Sequence, residues 1–547
     1  MLIGLKIEVE PFRTLSMRIS QPDSSSSSMN KDSLENRAVC KSHHGKVDPD
    51  LGTRNFCIAG LAFGWNFASL CLIAGSIMLS SDHFPVPSYV KLKVIMVNFF
   101  LHTMRPGKPY PPSHRIQQLH QGTSILVQLL LNLLVTIILD TTNYIHATTL
   151  KWALFKEGRL KFNSNVRLFT SAKTHGPNSW YMNSVSLLGL AISYGATSAA
   201  FTDVVIVGEW DESTREVEYG PSETSDIIDI NGLAIFALGI GVLLQVSVST
   251  YSLLCSSEVK TWNSTLLSNA RAWLDRKEVA DNSSEDLYSD FTFTSRKIQD
   301  PMLNIAPHTQ IIRRLIWGFC ALFTVWSISQ GIVVATNGYM AENFGDFSSG
   351  AEGYWRFYGA LYWDYKRITK SPPYWLGLII QIIAQSFLTF ALHCVELLFN
   401  LSRDEAAWRE LETVGVDADA SMKYNFSRQT LIMLAMKAII QWVFGYALTA
   451  DVSFNIALLP IIALMVLFII LAIGSEYMLK KRPKGSLPAT YGEFDRVIQL
   501  VDDWDHGRLF WGDKGGFKGG MRRAGTAGQR LSDLKPDTLF CCYRKND

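Results

Sequence analysis

Runs of about 20 apolar residues recur along this chain, and they limit its fold more than any other feature of the sequence. A helix of that length crosses roughly 30 Å of hydrocarbon. The runs occupy residues 57–80, 125–146, 184–208, 231–255, 315–336, 374–398, 431–448 and 454–478. We therefore predict an all-α fold, a polytopic transmembrane helical bundle of about eight spans.

The loop between the second and third runs predicts how the bundle is oriented. It reads WALFKEGRLKFNSNVRLFTSAKTHGPNSWYMN over residues 152–183, and Glu157 is its one acid. The bases in and beside it are Lys151, Lys156, Arg159, Lys161, Arg167 and Lys173. Since an excess of Lys and Arg retains a loop in the cytoplasm, we expect this loop inside, the acidic loop 209–229 outside and both termini cytoplasmic.

This membrane topology predicts three regions of the chain. Residues 1–55 are polar and contain a serine run, which predicts a disordered cytoplasmic tail. Residues 56–480 form the bundle, and the first span acts as the insertion signal because no uncharged stretch precedes it. Residues 481–547 form a cytoplasmic tail with an amphipathic helix at 489–504 and a glycine-rich end. The short apolar segment 94–104 is placed at the membrane interface or as a re-entrant segment.

Composition and motifs argue against several other classes of protein. The bases are spread over loops, which gives no nucleic-acid-binding face, and the eight cysteines show no zinc spacing or disulfide framework. Phosphate-binding, zinc-protease and serine-hydrolase motifs are missing, so no catalytic residue and no cofactor are assigned, and the motifs favour a protein that is not an enzyme without deciding the question. The acids around His506 resemble a metal cluster, but adjacent residues on a helix point apart, and no metal site is predicted.

Polar residues inside the spans are the candidates for a binding site, because such groups are costly in a bilayer. The candidate polar cavity consists of Asn132, Asp140, Asp203, Gln245, Gln385 and Glu396. Two simpler interpretations compete with it. The amides hold helices together by hydrogen bonds, and the charged groups, with His393 and Lys437, lie near span ends and reach the interface.

Two modification patterns are also present. Asn263, Asn282, Asn400 and Asn425 begin glycosylation triplets, but all lie on the predicted inner side or at a helix end, so we expect them to be unmodified. Cys541 and Cys542 lie beside basic residues, a pattern found both at acylation sites and by chance.

Three segments carry a resemblance to a family. They are the loop 152–183, LPATYGEFDRVIQLVDDW after the last span, and LFWGDKG beyond it. They resemble uncharacterised multi-span integral membrane proteins of filamentous ascomycete fungi. The resemblance implies a membrane location but no activity and no site residue. Because both long segments are predicted to be cytoplasmic, we expect them to dock on each other and to regulate the bundle.

The sequence thus predicts a multi-pass protein of the plasma membrane or an endomembrane, with the lipid bilayer as its first partner. The leading functional hypothesis is a transporter, channel or receptor-like bundle that binds a small or lipid-like molecule. A regulatory or scaffolding membrane protein is the alternative, and an intramembrane enzyme acting on lipid is the third. A polar cavity joining the candidate amides would favour the first hypothesis, paired amides without a cavity the second, and a histidine-carboxylate cluster the third.

Overall fold

The computed structural model describes most of the chain from Pro49 onward. The described residues are 49–80, 114–119, 121–164, 170–203, 209–210, 217–218, 226–255, 259–280, 291–336, 363–364, 375–417, 428–450, 453–456, 458–504, 506–516 and 521–542. The segment 94–104 and most of the predicted N-terminal tail lie outside them. Residues 49–55, which were assigned to that tail, begin the first helix instead.

Helices dominate the described part of the chain. They are α1 (Pro49–Ser80), α2 (Gln121–Lys156), α3 (Trp180–Ala200), α4 (Gly232–Cys255), α5 (Leu266–Ala280), α6 (Met302–Ile305), α7 (Thr309–Thr336), α8 (Trp375–Thr413), α9 (Arg428–Ala447), α10 (Leu458–Lys480) and α11 (Phe494–Leu500). A 3₁₀ turn at Gly176–Asn178 precedes α3.

The strands are short and lie between the helices or after them. They are β1 (His114–Leu119), β2 (Phe201–Asp203), β3 (Glu209–Trp210), β4 (Val217–Glu218), β5 (Asp226–Asn231), β6 (Phe291–Thr294), β7 (Trp363–Asp364), β8 (Val416–Asp417), β9 (Leu448–Ala450), β10 (Ser453–Ile456), β11 (Arg508–Gly516), β12 (Arg522–Ala527) and β13 (Leu539–Cys542). They form sheets ordered β1-β5-β2, β7-β10-β9, β3-β4 and β6-β13-β12-β11-β8. All pairs are antiparallel except β12 with β13.

Seven described helices, α1, α2, α4, α7, α8, α9 and α10, are long and apolar enough to cross a membrane. The chain is therefore a multi-pass integral membrane protein. Helix α3 has 21 residues and packs against α4 and α8, but it is richer in Ser, Thr and Gly than the seven. Its C-terminal half is buried, so its small polar side chains face protein.

The GxxxG pair in α1 provides a close helix contact, as its spacing indicates. A Cβ atom on Gly60 would lie 2.8 Å from Thr141 of α2, and one on Gly64 would lie 2.8 Å from Val246 of α4. Only glycine allows α1 to approach both neighbours at this distance. Helix α1 therefore packs along α2 and α4, and this contact forms one hydrophobic core of the bundle.

A compact unit covers one end of the bundle, and the sequence did not predict the sheet within it. We call it the platform, and it consists of α5, α11 and the five-stranded sheet β6-β13-β12-β11-β8. Its core includes Trp408 and Leu411 from the end of α8 and Leu154 from the end of α2. Because α8 has 39 residues, it is about 58 Å long and extends well beyond a hydrocarbon layer of roughly 30 Å. Helix α8 therefore belongs to both the bundle and the platform.

The basic loop and the C-terminal segment dock on each other, as their sequences indicate. The backbone N–H of Asn163 donates to the carbonyl of Gly492 at 2.8 Å, and that of Phe494 donates to the carbonyl of Lys161 at 2.9 Å. The helix in this segment, α11, is shorter than the predicted 489–504. Its apolar residues lie in the platform core. The glycine-rich LFWGDKG segment is strand β11 of the sheet.

The end of α8 clamps the segment that follows the last span. Glu405 accepts hydrogen bonds from the backbone N–H groups of Thr490 and Tyr491, each at 2.9 Å. Glu412 accepts from the N–H and the hydroxyl of Ser486, both at 2.6 Å, and Trp408 donates to a backbone carbonyl of the same segment. These contacts fix the platform to α8.

Cys541 and Cys542 are buried in β13, and burial raises the pKa of the Cys542 thiol. Acylation of this pair would thus require the sheet to open. Asn263 is buried and hydrogen-bonds Ser268, and Asn400 faces the bundle interior. Asn282 and Asn425 lie outside the described residues.

Glu157, the one acid of the basic loop, organises the turn before α3. Its carboxylate accepts hydrogen bonds from the backbone N–H groups of Lys173 and Thr174, at 2.5 and 2.7 Å, and from Arg159 Nη1 at 2.9 Å. Burial opposes the charged form, but the hydrogen bonds outweigh burial and lower the pKa of Glu157.

We expect Glu157→Gln to lower the thermal midpoint at neutral pH and to lose this effect in acid. A carboxyl with a depressed folded-state pKa stabilises the fold above its unfolded pKa of about 4.3, and the contribution disappears as the pH falls through the folded value. Thermal unfolding of the purified protein between about pH 7 and pH 3 checks this. The exposed Glu410, changed to Gln, is the control; a deficit that persists at the lowest pH would contradict the prediction.

Candidate functional site

A cavity of about 550 Å³ opens among α1, α2, α3, α8 and α9 at the platform end of the bundle. This volume is in the range of small-molecule sites. Its wall combines apolar side chains, such as Leu190 and Leu434, with polar and charged ones. This wall has three parts.

The first part is the charged cluster at the end of the cavity away from the platform, where Asp140, His393 and Glu396 line the cavity and Lys437 lies behind them. Lys437 of α9 places Nζ 3.0 Å from Asp140 Oδ1 of α2 and 3.0 Å from Glu396 Oε2 of α8. His393, one turn before Glu396, places Nδ1 3.0 Å from the same Oε2. With His393 neutral, these four residues carry a net charge of −1.

Lys437 can be buried only because both carboxylates compensate its charge. Its side chain is 5% exposed, and an unpaired ammonium at this depth would be very costly. The two carboxylates outnumber the lysine, which leaves negative charge at the cavity wall for a proton or a ligand cation to balance.

The second part, the cavity floor, faces the platform. Lys151 Nζ donates to Asn163 Oδ1 at 2.9 Å, and Asn163 Nδ2 donates to Asp404 Oδ2 at 3.0 Å. The hydroxyl of Ser164 donates to the same Oδ2 at 3.1 Å, and Arg403 Nη2 lies 3.9 Å from Asp404 Oδ1. Two cations and one carboxylate give the floor a net charge of +1.

Gly492, in the segment after the last span, packs against Asp404 beneath the cavity floor. Its φ is +81°, and a Cβ atom there would lie 3.0 Å from Asp404 Oδ2. Both the left-handed backbone and the close approach require glycine. The docked C-terminal segment therefore supports Asp404, which lies directly behind the floor residues Asn163 and Ser164.

The third part, the mouth, connects the cavity to the apolar outer surface of the bundle. Phe56 of α1, Ile137 of α2 and Leu431 of α9 line the cavity and are 53%, 40% and 50% exposed. The mouth of the cavity is therefore apolar and lies between α1, α2 and α9.

His146 holds three helices together beside the cavity. Its Nε2 donates to Asn183 Oδ1 at 2.7 Å, since the amide nitrogen of Asn183 already donates to a backbone carbonyl. Its Nδ1 then accepts from the hydroxyl of Ser252 at 3.2 Å. Both ring nitrogens are occupied, so this histidine positions helices.

The structure brings together two of the six candidate cavity residues, Asp140 and Glu396. Gln245 pairs with Ser186, and Gln385 donates to Gln441; both are buried between helices and do not line the cavity. Asn132 is buried on α2, also outside the lining. Asp203 ends strand β2, and its side chain lies outside the described residues.

The sequence favours an interfacial position for Lys437 and His393 over a functional one, and it does not single out the cavity floor. The structure buries Lys437 among helices, and α2 and α8 continue well past the predicted ends 146 and 398. A usable signal was the helical spacing of polar residues on α8, namely His393, Glu396, Asn400 and Arg403. Among the residues that the structure describes, no group of three or more His, Cys, Asp or Glu side chains is arranged to hold a metal ion.

We expect Lys437→Met to destabilise the bundle by about 1 to 3 kcal/mol, because it leaves two carboxylates, 30% and 32% exposed, at the cavity without a cation. Adding Asp140→Asn and Glu396→Gln should restore most of the loss. The yield of monodisperse protein and its thermal midpoint measure both effects. Lys480→Met is the control, since that ammonium is 64% exposed; equal loss in both single variants would show that the cluster has no special role.

The resemblance to fungal membrane proteins remains a proposal based on the three segments named above. Comparison of the chain with protein-family models, curated proteins and solved structures finds no match.

Proposed function

We propose that this protein binds an amphiphilic, lipid-like molecule in the cavity. One observation carries the proposal: the cavity has charged walls inside and an apolar mouth between membrane-spanning helices. A polar headgroup satisfies the charged cluster and the floor, while the hydrocarbon chain remains at the mouth. A headgroup alone therefore has to fit in about 550 Å³.

The charges favour a zwitterionic headgroup. The charged cluster has an excess of negative charge, and the floor has an excess of positive charge. Glu396 and Arg403 are seven residues apart on α8, or about 10 Å along the helix. A headgroup that carries a cation and an anion can place each near its opposite charge.

We infer that α3 is an eighth span and that the platform lies in the cytoplasm. The basic loop and the bases after α10 support this orientation, and the packing of α3 between two long helices supports the count. Both termini are then cytoplasmic. A location in the plasma membrane or an endomembrane is compatible with these features.

We further propose that the platform regulates the cavity through α8. Helix α8 carries His393 and Glu396 at the cavity. Further along, its Glu405 and Glu412 accept hydrogen bonds from the segment after the last span. A rigid helix transmits a shift at one end to the other. The protein would then have a regulatory part, the platform, in addition to its binding cavity.

Ala147→Trp should block the binding. Ala147 lines the cavity, and an indole there removes space for a headgroup. The probe is a phosphatidylcholine analogue with a diazirine on its choline group, crosslinked in vesicles and mapped by mass spectrometry. We expect labelling of residues 140–151 and 393–403 in the wild type and a loss of about tenfold in the variant.

Ala321→Trp, on the exposed surface of α7, is the matched control and should label like the wild type. Labelling of these two segments that survives Ala147→Trp would show that the headgroup does not occupy the cavity. Labelling confined to the ends of the helices would refute binding altogether.

Glu412→Ala should change the same crosslinking without altering the cavity wall, because it releases the hydrogen bonds to Ser486. We expect a change of about threefold or more in the lipid concentration that gives half-maximal labelling. The exposed Glu410→Ala on the same helix turn is the control. Identical titrations for the two variants, with the fold intact, would eliminate regulation through this clamp.

A further inference from the structure

Polar residues continue from the charged cluster towards the opposite end of the bundle. On α8, Gln381, Gln385 and Thr389 precede His393 at intervals of four residues, so they lie on one face of the helix. Gln385 donates to Gln441 of α9, and Gln441 donates to Thr389 at 3.2 Å. A polar line therefore extends beyond the cavity.

The same arrangement occurs on the two neighbouring helices. Asn132 and Thr136 precede Asp140 at intervals of four on α2, and Gln441 follows Lys437 by four on α9. We call Asn132, Gln381, Gln385 and Gln441 the amide half, because these residues line the helix contacts on the far side of the charged cluster. All four side chains are buried.

Hydrogen bonding between helices does not explain the amide half fully. Gln381 is 1% exposed, and neither its Oε1 nor its Nε2 has a hydrogen-bond partner in the described part of the chain. Oδ1 of Asn132 and Oε1 of Gln385 are likewise without a partner there. A residue retained only to join helices would be bonded, since unsatisfied polar atoms at membrane depth are costly.

We propose that the cavity is the open half of a pathway across the membrane and that the amide half is its closed half. Amide atoms without partners here become hydrated, or contact the headgroup, when the opposite side opens. The protein would then move its ligand between the two faces by alternating access around the charged cluster. This inference rests on the proposed binding of an amphiphile in the cavity.

The amide half also restricts which molecules pass. It offers neutral donors and acceptors but no charged side chain, so it compensates no net charge. A neutral or zwitterionic headgroup can cross it by exchanging hydrogen bonds, whereas a headgroup with net charge would be left uncompensated. The substrate class is thus an amphiphile whose headgroup carries no net charge.

The test uses the full chain in phosphatidylcholine vesicles with a trace of acyl-chain NBD-phosphatidylcholine, which dithionite quenches only in the outer leaflet. We expect the wild type to accelerate loss of the protected fluorescence over protein-free vesicles. Gln381→Leu with Gln385→Leu should slow it about tenfold, because a barrier increase of roughly 1.4 kcal/mol has that effect. Headgroup crosslinking in the cavity should be unchanged.

Ile383→Leu, on the lipid-facing side of α8, is the control and should move lipid like the wild type. A second readout is labelling of Gln381→Cys, in a Cys255→Ser background, by a charged thiol reagent added opposite the platform, which should increase with phosphatidylcholine content. Cavity crosslinking without lipid movement or Gln381→Cys labelling would overturn the pathway and leave the binding proposal intact. Absence of crosslinking would overturn binding itself.

Discussion

Buried carboxylates on one helix hold the two parts of this protein together. Asp404 and Glu405 are adjacent on α8, both are buried, and each must be hydrogen-bonded to remain charged. Asp404 takes its donors from the basic loop, and Glu405 takes its donors from the segment after the last span. The need to compensate two buried charges thus recruits two distant segments to one point, and the cavity floor and the platform both depend on it.

The cavity combines charged walls with an apolar mouth, which is the combination that the proposed amphiphilic ligand requires. Its charged walls are enclosed by five helices, and its mouth is formed by exposed apolar side chains. Lys437 links α2, α8 and α9 through carboxylates rather than through apolar contacts. Such a junction depends on charge balance, so a change of protonation or a bound ion alters helix packing directly.

The membrane-spanning helices could be predicted from the sequence, because the length of an apolar run indicates directly whether a helix can cross a membrane. The docking of the basic loop on the C-terminal segment was also predictable. The charged cluster was not, because Lys437 and Asp140 are far apart in sequence and nothing local relates them. The five-stranded sheet was missed for the same reason: its strands are short and come from four separated segments, and β11 is glycine-rich.

The order of the strands in the platform has a consequence for synthesis. Strand β13 lies between β6 and β12, yet β6 ends at Thr294 and β13 begins at Leu539. At ordinary translation rates roughly 10 to 50 seconds separate the two. During that interval α7 to α10 must insert into the membrane. Until β13 is made, the backbone edge of β6 has no partner strand and is exposed to water. The sheet can therefore close only after the later helices have been synthesised. A chain whose synthesis stops within α7 to α10 would leave β6 exposed to chaperones.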